Sequence, residues 1–250
     1  MQRGMETLRR FRELATSHAV EEVVTAATSA VREAPNGRDY LQAIQNDLGL
    51  AVDLVSGPEE ARLIYLGVLS GMSFGDRPHL ILDIGGGSTE LILADGRDSR
   101  ALTSSRVGAV RLQRDFIKAE PIPPHRRSFL KTFIQGSLEP AVDKVLRRIK
   151  PGETPVLVAT SGTAMAIGAL AASDDDRPPR KLHGYRVSRH RLDRLVDQLV
   201  AMTPEQRRAL TSINDRRAEI IVPGSLILQT TIQMVGVDEF VLSERALREG

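Results

Sequence analysis

Between two apolar runs the chain reads Asp83-Ile84-Gly85-Gly86-Gly87-Ser88-Thr89-Glu90, three consecutive glycines with an acid on either side. Consecutive glycines cost backbone entropy and offer no side chain to pack, so they serve a backbone that must meet something closely. N–H groups at Gly85, Gly86 and Gly87 can approach a phosphate because no Cβ stands in the way, and Ser88 and Thr89 add hydroxyls to the same turn. Asp83 and Glu90 carry the oxygen chemistry of a hard cation, held directly or through its waters. The plain alternative is a glycine-rich hairpin tip with two solvated acids. Apolar runs on both sides and an acid at each end favour phosphate.

Three other places carry candidate groups. Glu59 and Glu60 stand in the first turn of the helix that Ser56-Gly57-Pro58-Glu59 opens, where acids suit the helix dipole and Glu59 completes a capping box. One glutamate can cap while the other works, and spacing does not say which. Arg32, in TSAVREAPNG, follows a strand whose end would face the same cleft; an isolated arginine is as readily a structural residue. Ser161-Gly162-Thr163 follows a buried strand and reads equally as a phosphate loop or as tight packing of small residues. The five histidines show no metal-ligand spacing, and no Gly-x-Ser-x-Gly elbow supports serine hydrolase chemistry.

These residues need elements to position them. Met1–His18 has apolar residues at helical spacing (Met5, Leu8, Phe11, Leu14), Glu22–Thr28 and Ala51–Val55 read as strands, and Arg38–Leu48 reads as a helix stopped by Gly49. The helix after Gly57 runs through Leu69. His79–Ile84 and Thr89–Ala94 are strands, so the glycines join strand to strand. That excludes the dinucleotide fingerprint and the P-loop, which need a helix directly after their glycines. Helices are expected over Arg111–Phe116, Ser128–Ile149 and His190–Met202, a strand over Pro155–Ala159 leading into a helix of small residues, a short strand at Tyr185–Val187, and a capping box at Thr203. DRRAEIIVPGSLILQTTIQMVG reads as a helix interrupted near Pro223-Gly224, and EFVLSERALREG as a closing strand and turn. Alternating strands and helices argue an α/β fold with a partly parallel sheet.

Composition bounds the function. At 250 residues, 41% apolar and 26% charged, the chain suits one large or two small globular domains. No cysteine is present, which excludes disulfides and thiolate metal sites. A net charge of +2, with basic and acidic residues interspersed, does not call for nucleic acid. Apolar runs are broken by glycine or charge before bilayer length, and the charged first residues lack a signal peptide's apolar core, so the expectation is a cytoplasmic protein with no membrane or nucleic-acid partner.

Taken in order, TSAVREAPNG, SGPEEARLIYLGV, LDIGGGSTEL, GAVRL, ATSGT and RRAEIIVPG resemble the exopolyphosphatase/guanosine pentaphosphate phosphohydrolase (Ppx/GppA) family over nearly the whole chain. The resemblance implies a two-domain α/β fold of the actin-like, Hsp70 and sugar-kinase (ribonuclease H-like) superfamily. It implies hydrolysis of the terminal phosphoanhydride of polyphosphate or guanosine pentaphosphate with Mg²⁺ or another divalent cation. By motif, Glu60 matches the catalytic glutamate, Arg32 a phosphate-site arginine, and Asp83 and Glu90 acids linked to the metal and its waters. Gly85, Gly86, Gly87 and Ser88 match the second phosphate loop, with Thr89 beside it.

One departure shapes the expectations. The family's Asp-x-Gly-[ST]-Asn-[ST]-like first phosphate loop has no counterpart before Leu14, so the first domain reads as N-terminally shortened and the chain as weakly active or inactive. Residues 1–63 would be the remnant of that domain, with 238–250 as a candidate addition, and 64–237 the second domain. A homodimer is a candidate assembly. Two rivals stay open: a phosphotransferase of the same superfamily, and a non-catalytic module that binds polyphosphate or a nucleotide.

Overall fold

The computed structural model describes residues 1–75 and 77–250. They form two compact units, Met1–Gly57 and Pro58–Gly250. In the smaller, α1 (Gln2–Ser17), β1 (Thr25–Ala27), α2 (Ser29–Arg32), α3 (Gly37–Leu48) and β2 (Val52–Leu54) follow in order. β1 and β2 pair in parallel, Thr25 opposite Val52 and Ala27 opposite Leu54. Met5, Ile44 and Leu48 make the small core. The apolar spacing of α1 is used only in part, since Phe11 and Leu14 remain exposed. Gly49 stops α3 in the left-handed conformation, φ 64°, the role its position suggests.

The larger unit begins within the first turn of α4 (Gly57–Leu69) and continues with β3 (His79–Ile84), β4 (Thr89–Ala94), β5 (Ser99–Ser105), α5 (Ala109–Phe116) and α6 (Pro124–Leu146). β6 (Val156–Thr160), α7 (Ser161–Ser173), β7 (Arg186–Ser188), α8 (Arg189–Ala201), α9 (Pro204–Arg208), α10 (Asp215–Val235) and β8 (Glu239–Leu242) complete it, with a 3₁₀ turn at Leu247–Glu249. Its six-stranded sheet has the order β5-β4-β3-β6-β8-β7. β3 and β4 form an antiparallel hairpin, while β6 lies parallel to β3 and β8 parallel to β6. The hairpin accounts for the reading that no helix follows the glycines.

Two boundaries differ from those expected. A division at 63/64 would cut α4, whose stripe of Ala61, Ile64, Tyr65 and Val68 packs against Ile81, Ile92 and Val158 of the larger unit's sheet. The closing residues also belong there, because β8 pairs with both β6 and β7 and buries Phe240 and Leu242 in the main core. β5, not anticipated from the polar string SRALTSS, is an edge strand half covered by protein, with Ala101 and Thr103 turned inward.

Every residue of β3 and β4 is buried, as expected for strands covered on both faces. Side chains alternate: Leu80, Leu82, Ile84, Leu91 and Leu93 enter the main core beneath α5–α8 and α10, and Ile81, Ile92 and Ala94 face α4. α10 has the length and apolar character of a bilayer-crossing helix, but most of it is buried within the protein. Gly224, beside the in-helix Pro223, lets α10 approach α7, since a Cβ there would stand 2.7 Å from the Thr163 side chain. Gly224→Ala is therefore expected to cost about 1–3 kcal/mol through overpacking, read as a lowered urea midpoint with an unchanged slope.

Candidate phosphate site

The alternation that builds the hairpin also gathers its acids. Asp83 and Glu90 are direct cross-strand partners, so they project from the same face. Counting by twos from Ile81 and Ile92, that face is the one covered by α4. On α4, Glu60 lies one turn before Ile64 and two before Val68, on the buried stripe of the helix. Three carboxylates thus meet at the glycine end of the hairpin.

Burial separates the two adjacent glutamates. Glu60 is 7% exposed. Glu59 is solvent-exposed and accepts two hydrogen bonds from Arg62, at 2.9 and 2.8 Å, which hold its carboxyl below the usual range. Glu60 is the one placed with Asp83 and Glu90, and its charge acts on both.

Burial pushes the Asp83 carboxyl up to about 7, with the Glu60 charge adding to the shift and hydrogen bonding to Ser161 opposing it. Glu90 is pushed up to about 8 by burial first, then by Glu60 and Asp83, against hydrogen bonds from Ser104 and Ser88. The Ser104 hydroxyl donates to Glu90 Oε1 at 2.7 Å. All the charges weighing on the pair are other acids. Like charges placed directly opposite destabilise a sheet, so this arrangement suits a cation.

The glycine turn supplies the complementary chemistry. The Gly85 N–H closes the turn onto the Ser88 carbonyl at 2.9 Å. The N–H groups of Gly86, Gly87 and Ser88 meet no acceptor among the described residues, and successive free N–H groups suit an anion. Ser88 itself is buried and its hydroxyl is engaged with Glu90. Thr89 lies on the other face of β4 and its hydroxyl donates to the Val107 carbonyl at 2.6 Å. The structure therefore commits the Thr89 side chain to packing, away from the acids.

Arg32 ends α2 in the smaller unit, where its Nη1 donates to the Val55 carbonyl at 2.6 Å. That bond ties the chain after β1 to the chain after β2, four residues before Glu59.

A second turn lies beside the first in the larger unit. β3 and β6 are parallel neighbours, with Asp83 opposite Thr160, so Ser161-Gly162-Thr163 follows directly. Ser161 adopts a left-handed backbone, φ 73°, and its hydroxyl, 2.9 Å from the Ile84 carbonyl oxygen and within reach of Asp83, has one proton for the two acceptors. Arg217, on the first turn of α10, lies so close to Gly162 that a Cβ there would meet its Nη2 at 1.7 Å. Burial lowers the Arg217 pKa and no carboxylate opposes that shift; it forms no ion pair among the described residues. Reading from residues alone singled out Ser161–Thr163 but gave Arg217 no role. The only sequence signal was its place in RRAEIIVPG, more than fifty residues from the turn it reaches.

The fit to a divalent cation can be tested on the donor set. Asp83 and Glu90 supply hard oxygens at neighbouring strand ends, their pKa values raised by burial first and by neighbouring acids second. No group of three or more His, Asp or Glu among the described residues is arranged to hold an ion. The residues therefore fit an ion of the Mg²⁺ type that keeps several waters and takes other oxygens from a phosphate, and do not fit an all-protein cage.

Known proteins resemble this chain over nearly its whole length. Exopolyphosphatase 2 of Mycobacterium tuberculosis is 30% identical over 250 residues, spanning 96% of this chain and 76% of that protein. The guanosine-5'-triphosphate,3'-diphosphate pyrophosphatase of Vibrio vulnificus is 31% identical and spans 100% of this chain and 48% of that protein. The crystal structure of an exopolyphosphatase from Cytophaga hutchinsonii superposes with a TM-score of 0.90 at 27% identity, covering 100% of this chain and 79% of the other. The sequence profile of the Ppx/GppA phosphatase family matches residues 1–250, and the chain belongs to that family.

Proposed function

We propose that this chain hydrolyses the terminal phosphoanhydride of inorganic polyphosphate or guanosine pentaphosphate, with Mg²⁺ as cofactor. The observation that carries this reading is the meeting, at one hairpin end, of three N–H groups that have no acceptor among the described residues with three carboxylates. The names of the relatives supply the two substrate classes.

In this reading the N–H groups of Gly86, Gly87 and Ser88 bind the oxygens of the terminal phosphate and stabilise the charge that develops on them during transfer. Asp83 and Glu90 would hold the divalent cation, which would supply neutralisation of phosphate charge. Glu60 orients the attacking water and accepts its proton as the bond from water oxygen to the terminal phosphorus forms and the bond to the bridging oxygen breaks, releasing orthophosphate and the shortened substrate. Glu60 is buried beside Asp83 and Glu90, whereas Glu59 is exposed. By the family resemblance alone, Arg32 is proposed as a further phosphate ligand.

The test is phosphate release from long-chain polyphosphate and from guanosine pentaphosphate, each with Mg²⁺ and with a chelator. Release from at least one substrate, abolished by the chelator and restored by Mg²⁺, is expected. Binding of either substrate without release under any divalent cation would replace the hydrolase reading with that of a binding module.

A further inference from the structure

The three N–H groups of the glycine turn face outward only if their peptide planes are held, and glycine resists a flip poorly because both signs of φ are open to it. In a trans peptide the N–H points opposite to the C=O of the preceding residue. The N–H groups of Gly86, Gly87 and Ser88 therefore share planes with the carbonyls of Gly85, Gly86 and Gly87. All three carbonyls are taken by one segment, the start of α5. The Ala109 N–H donates to Gly85 at 3.0 Å and the Arg111 N–H to Gly86 at 3.0 Å. Arg111 Nε donates to Gly87 at 3.1 Å. Gly108 lets this segment close on the turn, since a Cβ there would lie 2.5 Å from the Gly86 carbonyl.

The first two planes are held by backbone donors and so do not depend on side-chain identity. The third depends on one guanidinium. We propose that Arg111 is a positioning residue for the phosphate turn: by holding the Gly87 carbonyl it keeps the Ser88 N–H directed at the anion. It also strengthens that N–H as a donor, because a peptide whose carbonyl is bound by a cation is polarised. The proposal rests on the reading of the turn as a phosphate site. Without Arg111 the Gly87–Ser88 plane is free to turn, and a carbonyl then faces the anion where an N–H belongs.

The test uses the full chain and inorganic orthophosphate, which is not consumed, with amide shifts of Gly86, Gly87 and Ser88 followed by NMR. In the unsubstituted protein all three are expected to respond. In Arg111→Met the Ser88 response is expected to vanish while those of Gly86 and Gly87 persist, with orthophosphate bound on the order of tenfold more weakly. Arg111→Lys, whose ammonium can donate to the same carbonyl, is expected to recover part of both. If Arg111→Met does not fold, Arg111→Leu, which likewise carries no donor, replaces it, with the same selective weakening at Ser88 expected. A Ser88 response equal to that of the unsubstituted protein, or parallel loss at all three amides, overturns the positioning role and leaves the phosphate reading intact. Absence of any response in the unsubstituted protein removes the phosphate reading itself, and this proposal with it.

Discussion

Glu60→Gln is expected to lower kcat for phosphate release on the order of 10²-fold or more, the usual worth of a positioned general base, with KM largely kept. Glutamine preserves the shape of the side chain and removes its capacity to accept a proton from water. The fold should tolerate the change, because Glu60 is buried beside two like charges and a neutral amide relieves repulsion. The same relief should lower the pH at which Asp83 and Glu90 ionise, since the Glu60 charge helps raise both. The control is Glu59→Gln. Glu59 is exposed and engaged with Arg62, so its kcat should remain within a few-fold of the unsubstituted chain. A kcat near normal for Glu60→Gln, or a larger loss for Glu59→Gln, would remove Glu60 from the proton transfer.

Spacing alone leaves Glu59 and Glu60 equivalent, and only the family resemblance singles out Glu60; the reason lies in helix geometry. Residues 59 and 60 both lie in the first turn of α4, where either can be favoured by the helix dipole. Only the docking of Ala61, Ile64 and Val68 on the sheet decides which is turned inward. The hairpin was far more legible. Apolar runs on both sides of the glycines were enough to place a strand on each side; that Asp83 and Glu90 share one face follows from the register of the hairpin. Strand alternation assigns Thr89, next to Glu90, to the opposite face, a consequence that phosphate-binding chemistry in the string GGGSTE obscures. Arg217 and Arg111 were out of reach for a different reason. Each matters through one backbone position far away in the chain, Gly162 and Gly87, and no local pattern encodes such a contact. The place of the closing strand was out of reach on similar grounds, because β8 joins a sheet begun more than 150 residues earlier.

Substituting both strand acids, Asp83→Asn with Glu90→Gln, should change how stability depends on pH and on Mg²⁺. In the folded chain the two carboxyls are raised to about 7 and about 8, whereas in the unfolded chain they titrate near the ordinary range of about 4. Between these limits the folded state binds more protons, so stability falls as pH rises. The contribution is fully present below about pH 4 and lost as pH climbs through 7 to 8, on the order of several kcal/mol for the pair. Because the two acids interact, the loss should appear as two macroscopic steps belonging to the pair. In a chelator the unsubstituted chain is therefore expected to show a falling Tm from pH 5 to pH 8. Mg²⁺ should restore more at pH 8, where the carboxylates are ionised and can attract it, than at pH 5, where protons compete. The double variant keeps the shape and hydrogen-bonding capacity of both side chains but cannot ionise there. Its Tm should vary less across the same range, lie above that of the unsubstituted chain at pH 8 in chelator, and respond little to Mg²⁺. Thermal unfolding of both chains at three pH values, with Mg²⁺ and with chelator, reads all of these effects. An equal Mg²⁺ response in a folded double variant would take the cation away from Asp83 and Glu90, and an unchanged slope of Tm against pH would mean that other groups carry the proton linkage.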